Sequence, residues 1–161
     1  MILQIENLVV KPLTYDELPY VKEIRDQSLE HLETQVSYTL QQTQQWFKDS
    51  TPEWYSIYLE TEFIGYIRTS DSNKVSKSIY IGMDLHVQYR GYGYADRIYR
   101  EFLKWLVDCG YVHVLLRVQV RNYRAYNLYR KLGFIPVGIL QDFVMTSQEN
   151  LLDVILMQKK I

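Results

Sequence analysis

The chain has 161 residues, 47% apolar and 23% charged, which is the profile of a folded protein with enough sequence for one substantial hydrophobic core. A net charge of −1 excludes the basic surface that nucleic-acid binding requires, and no apolar run is long enough to span a bilayer. The one cysteine, Cys109, excludes an internal disulfide and fits a reducing compartment; its place in a helical apolar pattern predicts a buried thiol.

The first residues carry no basic region followed by an apolar stretch, so no signal peptide is read, and a cytoplasmic protein with one domain over residues 1–161 is expected. Asn7 to Leu13 predicts a strand ended by Pro12 and Thr14. Thr14 or Asp16 caps a helix from Glu17 to Leu32, with Leu18, Val21, Ile24, Arg25 and Leu29 near one face. Thr39 or Thr43 opens a shorter helix through Trp46 and Phe47 that stops before Pro52. Glu53 to Leu59 and Phe63 to Thr69 form a hairpin, and Asp71 to Ser76 a polar loop.

The next strand, Lys77 to Val87, alternates Ile79, Ile81, Met83, Leu85 and Val87 against Ser78, Tyr80, Gly82, Asp84 and His86. Gly82 inside it predicts a bulge or a close approach to a ligand. The strand runs into Gln88-x-x-Gly91-x-Gly93 and then a helix. A strand, a glycine turn and a helix N-terminus leave backbone N–H groups without helical partners, and both these groups and the helix dipole favour a phosphate. Two commoner phosphate loops are excluded. Asp96 stands where a dinucleotide fingerprint needs a small residue, and no Gly-Lys-Ser/Thr triplet occurs.

Ala95, Ile98, Tyr99, Phe102, Leu103, Leu106 and Val107 recur at helical spacing, and Gly110 ends that helix. Val112 to Val120 alternates as a buried strand. Asn122 caps a helix carrying Ala125, Leu128, Tyr129 and Leu132, and Gly133 stops it. Phe134 to Phe143 and Leu151 to Met157 close the chain as two strands. Lys77 to Gly133 is therefore a βαβ unit with a parallel pair at its centre. His86 and His113 lack metal-ligand spacing, so no metal is expected.

The glycine turn, followed at this separation by Asn122-x-x-Ala125-x-x-x-Tyr129-Arg-Lys-Leu-Gly133-Phe134, resembles the GCN5-related N-acetyltransferases (GNAT). The resemblance covers Ser78 to Gly138 well and the remainder loosely. It implies an α/β (α+β) fold with a central mixed sheet of six to seven strands and about four helices. It implies acetyl-coenzyme A held at a splayed gap between two parallel strands. Leu85 and Val87 would offer backbone groups to the pantetheine arm, and Arg90, Gly91, Tyr92, Gly93, Tyr94 and Ala95 would hold the pyrophosphate. Asn122 would lie beside the cofactor, and Tyr129 would hand a proton to the departing thiolate. The bland alternative for Tyr129 is a packing aromatic.

Relatives often carry a glutamate where this chain has Tyr80 or Arg117. Asp84 and His86 are then the substitute bases, with a structural ion pair between Asp84 and Arg117 or another cation as the other reading. A weaker resemblance, at Glu23-Ile-Arg25, Thr43-Gln-Gln-Trp46-Phe47 and Leu152 to Leu156, points to acetyltransferases of nucleotide-linked amino sugars and of ribosomal-protein alanine. The expectation is an acetyl-coenzyme A-dependent N-acetyltransferase, monomeric or homodimeric. Its acceptor would be a small primary amine, an amino sugar in the first place. The alternatives are a protein N-terminus as acceptor, or a non-catalytic coenzyme A-binding domain.

Overall fold

The computed structural model describes residues 2–49 and 53–161. Its strands are β1 (Leu3–Ile5), β2 (Leu8–Pro12), β3 (Trp54–Leu59), β4 (Glu62–Asn73), β5 (Ser78–Leu85), β6 (His113–Gln119), β7 (Ile135–Met145) and β8 (Leu151–Lys160). The helices are α1 (Leu18–Gln27), α2 (Leu40–Asp49), α3 (Tyr94–Asp108) and α4 (Tyr123–Lys131). The strands form one mixed sheet in the order β1-β2-β3-β4-β5-β6-β8-β7, antiparallel except for β5 and β6. Eight strands stand where six to seven were expected. The extra one, β1, has only three residues and shows no readable alternation.

Side-chain alternation divides the core between the two faces of the sheet. Ile79, Ile81 and Leu85 of β5 join Val114, Leu116 and Val118 of β6 beneath Ile98, Tyr99, Phe102, Leu103 and Leu106 of α3. On the other face, Leu18, Val21 and Ile24 of α1 close over Trp54 and Tyr66 with Trp46, Phe47 and Phe63 around them.

Several expectations shift. The helix predicted to reach Leu32 stops at Gln27, because Ser28 Oγ bonds back to Ile24 O and the chain tightens into a 3-10 turn at Leu29–His31. Val107 and Cys109 are exposed, the latter because it caps the end of α3, off the buried stripe. Strand β4 runs on to Asn73 through an irregularity at Ser70/Asn73, taking in part of the expected polar loop. Gly82 is not a bulge: it pairs in register with Arg68. Thr39 caps α2, its Oγ1 accepting from Gln42 N–H while its own N–H donates to Gln42 Oε1. Pro52, expected to stop that helix, lies outside the described residues.

One buried carboxylate ties the N-terminal helix to the sheet. Glu17 accepts from Thr14 N–H at 2.7 Å, Ser56 Oγ at 2.5 Å and Tyr58 Oη at 2.6 Å, with Lys11 Nζ at 3.6 Å. Burial pushes its titration upward, but these donors and the lysine more than offset that and hold the carboxyl below the ordinary glutamate range. Substituting Glu17→Gln should cost about 1.5–3 kcal/mol in urea unfolding at neutral pH. A depressed carboxyl contributes stability above its unfolded titration range and loses it as pH falls through the folded value. The gap between wild type and variant should therefore close on acidification.

Candidate active site

Strands β5 and β6 pair only at Ser78/His113, Ile79/Val114 and Tyr80/Leu115. Beyond Tyr80 they part. His86 N–H donates to Ile64 O at 2.8 Å, and the antiparallel ladder repeats that orientation every second residue. Asp84 and Gly82 therefore turn their backbone groups to β4, while Ile81, Met83 and Leu85 turn theirs into the gap. The amides of Met83 and Leu85 thus face the gap.

Two cavities meet at this gap. One, about 480 Å³, lies on the α3/α4 side and is lined by Leu85, Gly91, Gly93, Tyr94, Ala95, Asn122, Arg124 and Tyr129, among others. The other, about 610 Å³, lies on the α1/α2 side against Trp46, Arg68, Tyr80, Gly82 and Arg117. His31, Met83, Asp84, Asn122, Ala125 and Tyr129 line both.

The glycine turn presents backbone donors without partners. Gly91 and Gly93 take φ values of +95° and +81°, a region where only glycine is unstrained. The first helical bond of α3 is Arg97 N–H to Gly93 O. Through Gly91 to Asp96, no backbone N–H donates to any described residue. Arg121 and Arg124 stand at the same cavity without a carboxylate partner among the described residues. Asp96, the residue that excludes a dinucleotide fingerprint, is neutralised by Arg100 at 2.9 Å and Lys131 at 3.4 Å. Six free amides at a helix N-terminus with two uncommitted guanidinium groups fit the diphosphate of coenzyme A.

Some residues of the turn do other work. Arg90 folds back, its Nε donating to Leu85 O and its Nη2 to Ser28 Oγ, both at 2.8 Å, so it braces the end of β5 against the end of α1. Val87 has left the strand; its N–H donates to Gln27 Oε1 at 2.9 Å and its side chain is exposed. The Tyr92 ring is 69% exposed, so only its amide belongs to the anion run. Asn122 caps α4, Oδ1 accepting from Ala125 N–H at 3.1 Å, which fixes its side chain where the cavities join.

Tyr129 is 8% exposed, with its ring edge-on to Tyr99 (centroids 5.7 Å apart) and its hydroxyl 3.5 Å from that of Tyr99. Burial raises its phenol above the ordinary value, so it stays protonated through neutral pH. Asp84 accepts from Tyr66 Oη at 3.0 Å. Burial pushes its carboxyl up from the ordinary aspartate range, against the pull of the Tyr66 hydroxyl, Arg90, the Ser28 hydroxyl and Arg68. Arg117 is not its partner: that guanidinium pairs with Glu33 at 3.5 Å and lies over the Tyr80 ring at 4.8 Å. His86, the other substitute base, points away from both cavities. Its Nδ1 accepts from Gln88 N–H at 3.3 Å and its Nε2 faces Glu23 at 3.4 Å. His113 is scaffold, 2.7 Å from Gln158.

Sequence reading passed over His31, Glu33, Arg68, Arg121 and Arg124. The segment from His31 to Tyr38 walls the larger cavity, and long-range bonds hold it there. Arg25 donates to Thr34 O at 2.9 Å and Val36 O at 2.6 Å, lies 4.5 Å over the Tyr38 ring, and is helped by Gln119 Nε2 on Leu32 O at 2.6 Å.

Among solved structures, the chain resembles a ribosomal-protein-alanine N-acetyltransferase from Brucella melitensis (17% identity, TM-score 0.81, covering 94% of this chain and 99% of that one). It also resembles an acetyltransferase from Salmonella typhimurium with acetyl-CoA (13%, TM-score 0.79, 96% and 94%). A spermidine N-acetyltransferase chimera from Vibrio cholerae and hSSAT gives 18%, TM-score 0.86, and 96% of each chain. At such identities these likenesses show the fold. No curated protein matches the sequence. The acetyltransferase (GNAT) family matches residues 18–134. The chain belongs to that family, the acetyl-coenzyme A-dependent N-acetyltransferases.

Proposed function

We propose that the chain acetylates the primary amine of a small molecule, an amino sugar in the first place, by direct attack on the thioester. The observation that carries this is the meeting of two cavities at Asp84, Asn122 and Tyr129, where β5 and β6 separate. The smaller cavity takes coenzyme A on Leu85, Asn122 and the amides from Gly91 to Ala95, and the larger takes the amine. Bound acetyl-coenzyme A supplies an activated acyl group.

The chain's own residues supply proton management and orientation. Tyr129 holds its proton toward the gap, where a donor is needed as the thiolate leaves. The amides of Met83 and Leu85 face the place where negative charge develops on the acyl oxygen. Asp84 receives the proton of the amine. An amine near pKa 7.8 must give up only about 1 kcal/mol to be neutral at pH 7, whereas a lysine-like amine requires roughly 4.6 kcal/mol. One half-buried aspartate suits the first kind.

The direct test is thiol release from acetyl-coenzyme A over amino sugars, spermidine and an alanine-initiated peptide. Release no faster than hydrolysis with every amine would leave only a coenzyme A-binding domain. Asp84→Asn should lower kcat/KM by about fivefold at pH 7, in keeping with that 1 kcal/mol. Because the Asp84 carboxyl is raised, its ionised form grows in as pH rises through a value above the ordinary aspartate range, and the acidic limb of the wild-type profile should vanish in the variant. The same raised group opposes folding once ionised, so Asp84→Asn should unfold at higher temperature than wild type at neutral pH. A variant with unchanged profile and no added stability would remove Asp84 from the mechanism.

A further inference from the structure

The larger cavity contains a guanidinium that the fold leaves uncommitted. Arg68 lies on β4 directly opposite Gly82. Its guanidinium sits 5.2 Å from the centre of the Trp46 ring and 5.8 Å from that of Trp54, and these indoles meet edge to face at 4.8 Å. The rings hold the guanidinium in place, but a ring face does not satisfy N–H donors as an oxyanion does. The Arg68 guanidinium forms no hydrogen bond or ion pair with any described residue. Arg117, the other arginine of this cavity, is already paired with Glu33.

The surroundings favour a ligand group over a missing protein partner. A Cβ built on Gly82 would meet nothing within 4 Å, so the space in front of Arg68 is open cavity. Asp84, on the same sheet face, is hydrogen-bonded to Tyr66; it feels the charge of Arg68 but forms no ion pair with it. Two residues of strand span roughly 7 Å, so the Arg68 backbone is set back by about that much along the sheet from the Asp84 position.

We infer that Arg68 anchors an oxyanion, phosphate or carboxylate, carried by the acceptor away from its amine. The inference rests on the larger cavity being the acceptor site. It makes the enzyme selective for amines bearing negative charge and poor with polyamines, whose second ammonium would face Arg68 and Arg117.

Matched pairs test it: glucosamine against glucosamine 6-phosphate, and 1-aminopentane against 5-aminopentanoate, with spermidine as the cationic arm. The expected result is a preference of roughly 10- to 100-fold in kcat/KM for the anionic member of one pair, and the favoured pair says whether phosphate or carboxylate is read. Arg68→Gln should collapse that ratio chiefly through KM, and Arg68→Lys should keep part of it. Equal rates within both pairs in wild type would overturn the anchor and leave the transferase intact. So would Arg68→Gln lowering both members of a pair alike, or spermidine as the best acceptor. Calorimetry of glucosamine 6-phosphate and 5-aminopentanoate on the wild-type coenzyme A complex separates the two readings. Binding without turnover would support the anchor and sink the transferase; no binding and no turnover of either probe would overturn the anchor. Should Arg68→Gln not fold, Arg68→Lys and the wild-type pairs decide.

Discussion

Replacing Tyr129 by phenylalanine should lower kcat by about a hundredfold or more while leaving coenzyme A affinity unchanged. The ring stays, so the packing against Tyr99 and Phe134 persists and only the hydroxyl is lost. In the proposed mechanism what disappears is the proton donor at the sulfur: a thiol of pKa about 8.5 leaves as thiolate unless it is protonated as the bond breaks. Burial keeps the phenol protonated through neutral pH, so the deficit should be flat across that range. It should shrink with a thioester analogue whose thiol is more acidic, since a better leaving group needs less help. Turnover equal to wild type in a folded variant would assign Tyr129 to packing alone.

Gly91→Glu should weaken coenzyme A binding by at least about a hundredfold, from three contributions acting together. The backbone φ of +95° is strained for any side chain, by about 1–3 kcal/mol. A Cβ there would approach Arg124 Nη2 to 3.3 Å. The added carboxylate would then sit on the free amides and pair with Arg124. Gly91→Ala keeps the strain without the charge and should fall between variant and wild type. Calorimetry measures both, with thermal melting as the check on folding. Full affinity in Gly91→Glu would mean that the diphosphate lies elsewhere.

Features set by neighbours in sequence were legible in the chain itself. The strand, glycine turn and helix from Ser78 to Asp108 follow from periods of two and of helical spacing, and Asn122 and Gly133 mark the ends of α4 by their own chemistry. The alternation that buries Ile79, Ile81 and Leu85 also puts Asp84 on the opposite face. What stayed hidden depends on partners far along the chain. Arg90 reads as a phosphate ligand until Ser28, 62 residues earlier, is found beneath it. Glu17 reads as a helix start, and its partners Ser56 and Tyr58 lie 39 and 41 residues away. Arg68 and Arg124 are ordinary surface arginines in sequence, and only the sheet and the α4 N-terminus give them a cavity to face. His86 failed as a base for a local reason: the residue after β5 turns into a 3-10 segment that uses its ring as a cap.

The wall from His31 to Tyr38 hangs chiefly from one arginine in α1 and meets the sheet through Leu32 on Gln119 and Glu33 on Arg117. With the amine seated against that wall, recognition of the acceptor and handling of the thioester are mechanically separable. A lineage could exchange that short segment and acquire a new clientele of amines, while β5 and β6 kept their register.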